Sequence, residues 1–260
     1  MENPTSVVFD CSGTLLKINR AIKHIESETY YTNKQTVDIV DENKGSALVI
    51  AKTRTDITKI DENKPIINVF NKLGAHITYC NPPIIKNNIL CDRNNVLMKH
   101  WHDTINILDE LDDNYTEYGH AVISDTINGK IAYTISTGGK VFPEVPELIK
   151  ELKNRNINVY VASGDSQYMI KKLCNLIGLD YSFAIPEAHQ KLKRDLITKL
   201  KNKGHKVIMV GDGSNDVPAM LKSDISVASL QNGDVSQKVL DIANYKIKNI
   251  VDLLNIIDNL

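Results

Sequence analysis

Two apolar runs in this chain end in acid at the point where the backbone must turn. Residues 207–218 read Val-Ile-Met-Val-Gly-Asp-Gly-Ser-Asn-Asp-Val-Pro, so a strand runs directly into Asp212 and Asp216. Residues 6–9, Ser-Val-Val-Phe, end likewise at Asp10, and Cys11, Ser12, Gly13 and Thr14 follow. Buried strands ending in this way bring their carboxylates together at one edge of a parallel sheet, where open α/β folds place their ligands. Carboxylates gathered there repel one another unless a cation is present. A hard divalent ion is implied, and Mg2+ fits best because it prefers oxygen ligands and keeps waters and a phosphate in its shell. The pattern points to phosphate chemistry.

The rest of the chain supports an α/β fold with helices on both faces of a parallel sheet. From about residue 141 onward helical and strand patterns alternate with little between them. Helices are expected near 143–155, 166–177, 190–203, 214–222 and 234–241, with a last one closing the chain. Strands are expected near 157–161, 181–185, 206–210, 224–228 and 243–247. Such alternation argues βαβ units. Residues 17–118 are irregular by comparison and predict an inserted α+β cap, leaving residues 1–16 and 119–260 as the core. Within the cap, Gln35 to Asp41 and Ser46 to Lys52 suggest a hairpin turning at Glu42-Asn43-Lys44-Gly45. Pro65 and Gly74 stand where a helix would begin and end. Leu97, Trp101, Ile105, Leu108 and Leu111 mark the buried face of another helix. Ala121–Asp125 and Lys130–Ser136 flank a turn at Ile127-Asn128-Gly129.

Charge and hydropathy narrow the class. Lys and Arg total 31 against 32 Asp and Glu, a formal charge of -1, which removes any global electrostatic argument for nucleic acid or an anionic membrane. No apolar run approaches the ~18 residues of a membrane span, and Met1-Glu2-Asn3-Pro4 has neither the basic nor the apolar part of a signal peptide. The expectation is a cytoplasmic protein whose partner is a small phosphorylated substrate. Cys11, Cys80, Cys91 and Cys174 form no C-x-x-C pair and are expected to be reduced thiols.

The residues around the two acidic turns supply the rest of a phosphoryl-transfer site. Asp10 is the best nucleophile, since a carboxylate that attacks phosphorus splits one difficult hydrolysis into two steps. Gly13 suits a sharp turn beside the phosphate, and the hydroxyls of Ser12 and Thr14 are candidate donors to its oxygens. Val159-Tyr160-Val161-Ala162-Ser163-Gly164-Asp165 is a further strand ending in hydroxyl, glycine and acid. Ser163 would hold the phosphoryl group, with Gly164 admitting a backbone amide. Lys193 would offset charge on the nucleophile and the phosphoryl oxygens.

These residues together resemble the haloacid dehalogenase (HAD) superfamily, and more narrowly the phosphorylation domain of P-type ATPases. Asp10-Cys11-Ser12-Gly13-Thr14 resembles D-K-T-G-T, Ser163-Gly164-Asp165 resembles T-G-D, and Gly211 to Met220 resembles G-D-G-x-N-D-x-P-A-L. The essential lysine of those pumps stands 19 positions before the first aspartate of that last motif, and the count from Asp212 lands on Lys193, not Lys191. The resemblance covers residues 5–16 and about 120–260, excludes the cap and includes no membrane helices. It implies a soluble P-type-ATPase-like phosphatase with a HAD-like Rossmannoid core. Asp10 would be the phosphorylated residue. Asp10, Asp212 and the Ser12 backbone carbonyl would hold Mg2+, with Asp216 and Asn215 supporting metal and phosphate. Thr14, Ser163, Gly164 and Lys193 would bind the phosphoryl group.

One departure matters. Most HAD phosphatases carry aspartate two residues after the nucleophile, as acid and then base; this chain has Ser12 there. P-type pumps have threonine, and their phosphoenzyme lives longer. Two alternatives to a simple phosphatase therefore stand beside it: a soluble ATPase, and a switch protein whose slow-turning phospho-Asp10 alters binding to a partner. Asp165 has two readings, a cap on the next helix or a member of the site. Lys191 is expected on a solvated helix face. His100 and His102, one on either side of Trp101, point apart on a helix and are not expected to bind metal. Lys44-Gly45 bears a two-residue likeness to the pumps' nucleotide-binding turn.

Overall fold

The computed structural model describes residues 4–32, 34–52, 57–112, 115 and 117–260. The chain enters through β1 (Thr5–Phe9), β2 (Leu16–His24) and β3 (Tyr30–Thr32). Helix α1 (Thr36–Glu42), β4 (Ser46–Ala51), α2 (Ile67–Leu73), β5 (Ala75–Cys80) and α3 (Lys99–Leu111) follow. A long hairpin comes next, formed by β6 (Glu117–Asp125) and β7 (Lys130–Val141). After it the expected alternation sets in, with α4 (Val145–Asn154), β8 (Asn158–Ala162), α5 (Gln167–Leu176), β9 (Ala184–Ile185) and α6 (Gln190–Asn202). The chain then runs through β10 (Lys206–Gly211), α7 (Val217–Met220), β11 (Ile225–Ser229), α8 (Gln237–Ile242), β12 (Tyr245–Ile247) and α9 (Asp252–Asp258). No helix among the described residues is long and apolar enough to cross a membrane.

Two compact units divide the chain, one made of the residues up to Lys17 with Val141–Leu260, the other of Ile18–Lys140. In the first, six parallel strands stand in the order β12-β11-β10-β1-β8-β9. Val8, Val207 and Met209 pack on one face against Leu196, Ile197 and Leu200 of α6, Ala219 and Met220 of α7 and Val239 of α8. The alternate residues Val7, Phe9, Ile208 and Val210 are fully buried too, and α4 buries Leu148, Ile149 and Leu152 while packing on β8. Strands covered on both faces explain the unbroken apolar runs in the sequence.

The second unit is a six-stranded sheet in the order β3-β2-β7-β6-β4-β5, its recorded pairings antiparallel. Alternation along the strands sorts its side chains. Ala47, Val49 and Val122 meet Val69 and Phe70 of α2 and Trp101 and Ile105 of α3, whereas Leu48, Ala121 and Ile123 meet Val37 and Val40 of α1. On α3, Trp101, Ile105 and Leu108 are buried as expected but Leu111 is exposed, and Leu97 precedes the helix. The Trp101 indole donates to the Ala121 carbonyl at 2.9 Å, and His102 Nε2 lies 3.1 Å from the Ile57 carbonyl.

Two expectations are corrected here, and one strand was not foreseen. The boundary expected between residues 118 and 119 lies between Lys140 and Val141, because Ala121–Asp125 of β6 pairs with β4, β6 pairs with β7 throughout, and the hairpin is part of the second sheet. Gln35 to Asp41 is not a hairpin strand. Its β-branched run suggested one, yet Thr36–Glu42 is helical, and Val37 and Val40, three apart, share one helical face over the sheet. Strand β2 went unforeseen because Arg20 and Lys23, both buried in it, disguise it as polar chain.

Candidate active site

Strands β1, β10, β8 and β11 end at the same edge of the parallel sheet, and the residues singled out in the sequence converge there. Asp10 follows β1 and is 6% exposed; its amide donates to the Val210 carbonyl at 2.9 Å, tying it to β10. Asp212 follows β10 and is 2% exposed. One oxygen from each of Asp10, Asp212 and Asp216 lies within 4.8 Å of the others. Three buried carboxylates at that separation form a hard-oxygen donor set, which fits Mg2+.

Lys193, on the buried face of α6, is 0% exposed and its Nζ donates to Asp10 and, at 2.7 Å, to Asp216 Oδ1. Burial, then the charge of Asp216, push the Asp10 carboxyl up to about 7 in spite of the lysine. Burial alone would lower the Lys193 ammonium, but the charges of Asp10 and Asp216 hold it above its ordinary value. Lys191 is exposed, as its place on the helix predicted. The other oxygen of Asp216 accepts from the amides of Asp212 and Gly213, each at 3.2 Å, so Asp216 both anchors the lysine and braces the turn.

The loop after β1 is held closely. Gly13 has φ of +82°, and a Cβ there would overlap the Asp212 carboxylate, so glycine is required on both counts. Ser229 Oγ donates to the Gly13 carbonyl at 3.2 Å, and Gln231 Nε2 to the Thr14 carbonyl at 2.6 Å. Ser236 closes the other side, its amide donating to the Asp212 carbonyl at 2.9 Å and its hydroxyl 2.7 Å from that of Ser214. Sequence reasoning missed Ser229, Gln231 and Ser236. Ser229 was findable: a parallel strand beside β10 must end at the same edge. Asn215, between Ser214 and Asp216 in the turn, is half-buried.

The hydroxyls expected to meet phosphate all donate to carboxylates in this arrangement. Thr14, fully buried, has its Oγ1 3.4 Å from Asp212 Oδ1. Ser163 Oγ donates to Asp165 Oδ2 at 2.7 Å, and Ser12 Oγ to the same oxygen at 3.3 Å. Asp165 therefore links the loop after β8 to the loop after β1. It does not cap α5; Ser166 does, accepting from the Met169 amide at 3.4 Å. Gly164 lies between these partners and is half-buried. Cys11 is buried beside Asp10, and burial pushes its thiol well above the ordinary value. All four cysteines are free thiols.

Comparison with known proteins gives a family model of haloacid dehalogenase-like hydrolases matching residues 5–224. The chain is 45% identical over 254 residues to a soluble P-type ATPase-like phosphatase of Methanocaldococcus jannaschii, covering 96% of this chain and 92% of that protein. It is 28% identical over 242 residues to a copper-exporting P-type ATPase of Staphylococcus haemolyticus, covering 91% of this chain but spanning only 29% of the ATPase. Among solved structures, a catalytic CPx-ATPase domain, CopB-B, matches with a TM-score of 0.46 at 18% identity, covering 99% of this chain and 90% of that one.

Proposed function

This chain belongs to the haloacid dehalogenase-like hydrolase family, and from that premise we propose that it is a Mg2+-dependent phosphohydrolase working through an aspartyl-phosphate on Asp10. The substrate is a small phosphate ester or nucleotide. The observation that carries the reading is Lys193, a fully buried cation held between Asp10 and Asp216 in a site with a third carboxylate, Asp212. Burying these charges is costly even when they are paired, and such arrangements cluster at sites where chemistry uses them.

In the first step an oxygen of the Asp10 carboxylate attacks phosphorus while the ester P–O bond breaks, and the leaving oxygen departs with its electron pair and takes up a proton. In the second, water attacks the same phosphorus, the bond to Asp10 breaks, and inorganic phosphate leaves. Lys193 orients Asp10 and offsets the charge that gathers on the phosphoryl oxygens. Asp10, Asp212 and Asp216, with the Ser12 backbone carbonyl, would hold Mg2+, which when bound supplies charge neutralisation at those oxygens. Ser12 is a poor proton donor and acceptor at neutral pH, and positioned acid–base catalysis is worth ~10^2 to 10^4-fold. The phosphoenzyme is therefore expected to accumulate during turnover.

Acid quenching with labelled substrate tests this directly. The wild type should yield a labelled phosphoprotein and the Asp10→Asn variant none; turnover in Asp10→Asn above a few per cent of wild type would rule the covalent route out. A nucleoside triphosphate as phosphoryl donor is the second reading, favoured by the match to a P-type ATPase across 91% of the chain. Rates on p-nitrophenyl phosphate and ATP, compared under one set of conditions, separate the two.

A further inference from the structure

On the reading of the site just given, we infer that Asp165 competes with the phosphoryl group for the hydroxyls of Ser12 and Ser163, and so sets how tightly the site holds phosphate. A serine hydroxyl has one proton to donate, and an ionised carboxylate only accepts. Both protons go to one atom, Asp165 Oδ2, at 2.7 Å from Ser163 and 3.3 Å from Ser12. Ser163 Oγ in turn accepts from the Asp165 amide at 3.2 Å, which closes a tight local ring. Ser163 is 2% exposed, so solvent offers its hydroxyl no ready substitute. Each hydroxyl can donate to a phosphoryl oxygen only by leaving Asp165.

Charge acts in the same direction. Asp165 is half-buried beside the loop that carries the nucleophile, where repulsion of an arriving phosphate dianion is screened less than on an open surface. Backbone and neighbouring contacts also hold this part of the chain, so the carboxylate's link between the two loops is not its sole anchor. The Asp165 carbonyl accepts from the Glu187 amide at 2.8 Å, and the following helix is capped by Ser166. Asp165 is thus a positioning residue that acts through two hydroxyls, and its effect is to keep the phosphate product weakly bound.

The test is calorimetric titration of inorganic phosphate into the Mg2+-supplemented wild type, Asp165→Asn and Asp165→Ala, with the thermal midpoint of each protein recorded. Asp165→Ala, which frees both hydroxyls, should bind phosphate about tenfold or more tightly, and Asp165→Asn, whose amide oxygen still accepts but carries no charge, should tighten binding by less. KM for the ester should fall with them, and the midpoints should stay close to wild type. A merely structural role would instead lower the midpoint and weaken phosphate binding. The near-isosteric Asp165→Asn keeps the measurement available should Ala loosen the loop. Phosphate binding by the variants no tighter than by wild type would overturn the inference alone. Failure of the wild type and both variants alike to bind phosphate would overturn both it and the site reading beneath it.

Discussion

At the scale of single residues, the site is a set of charges that constrain one another. Lys193 is the residue on which the spacing argument and the geometry can be tested together, because Lys191 stands two positions away in the same helix and is exposed. Lys193→Ala should lower the rate ~10^2-fold or more, the loss expected for removing a preorganised cation from a dry site, whereas Lys191→Ala should change it little. Steady-state kinetics on one ester decides it, and the reverse order would show that the lysine has been misplaced. Ser12→Asp is the complementary gain. It supplies the missing acid–base group, so the trapped phosphoprotein should fall and dephosphorylation should quicken, as rapid quenching would show. An unchanged dephosphorylation rate would mean that water is activated by another route.

At the scale of elements, Lys193, the proposed catalytic cation, is only as well placed as α6 is packed. Ile197, one turn beyond Lys193, is fully buried with Leu200 against Val8, Val207 and Met209. Ile197→Ala removes that contact and leaves a cavity, so stability should drop by about 2–5 kcal/mol, measured by denaturant unfolding. Activity at a temperature where the variant stays folded should fall less than in Lys193→Ala. A variant as stable as wild type would show that this face does not hold the helix. The elements also mark where local reading stops. Helices α4, α5 and α6 lie close to where periodicity put them, because each carries one apolar stripe and clear ends. Helix α1 was mistaken for a strand because seven residues are too few for the two periods to separate, and its contacts with β4 decide which wins.

At the scale of the whole molecule, folding and metal binding should be linked. Asp10, Asp212 and Asp216 come from two segments some two hundred residues apart in sequence and meet only in the folded chain, so the site exists only when the first unit is formed. Mg2+ should therefore raise the thermal midpoint, by an amount equivalent to about 2.7 kcal/mol at a hundredfold excess over its dissociation constant. A chelator should reverse the rise, and Asp212→Asn should remove most of it. No change in the wild-type midpoint with Mg2+ would count against the metal assignment.

The sequence by itself determined the parallel core and the edge of it at which Asp10, Asp212, Asp216 and Lys193 converge. Those features are carried by short-range signals: an apolar run, the residue at its end, a glycine where the turn is tight, and a fixed helical register. Only the tertiary structure decided where the second unit ends, that Ser229, Gln231 and Ser236 brace the loops, and that Asp165 holds two hydroxyls rather than capping a helix. Each of these depends on hydrogen bonds between segments remote in sequence. A donor's choice among acceptors is set by which chains lie beside it in space, and no local pattern records that choice.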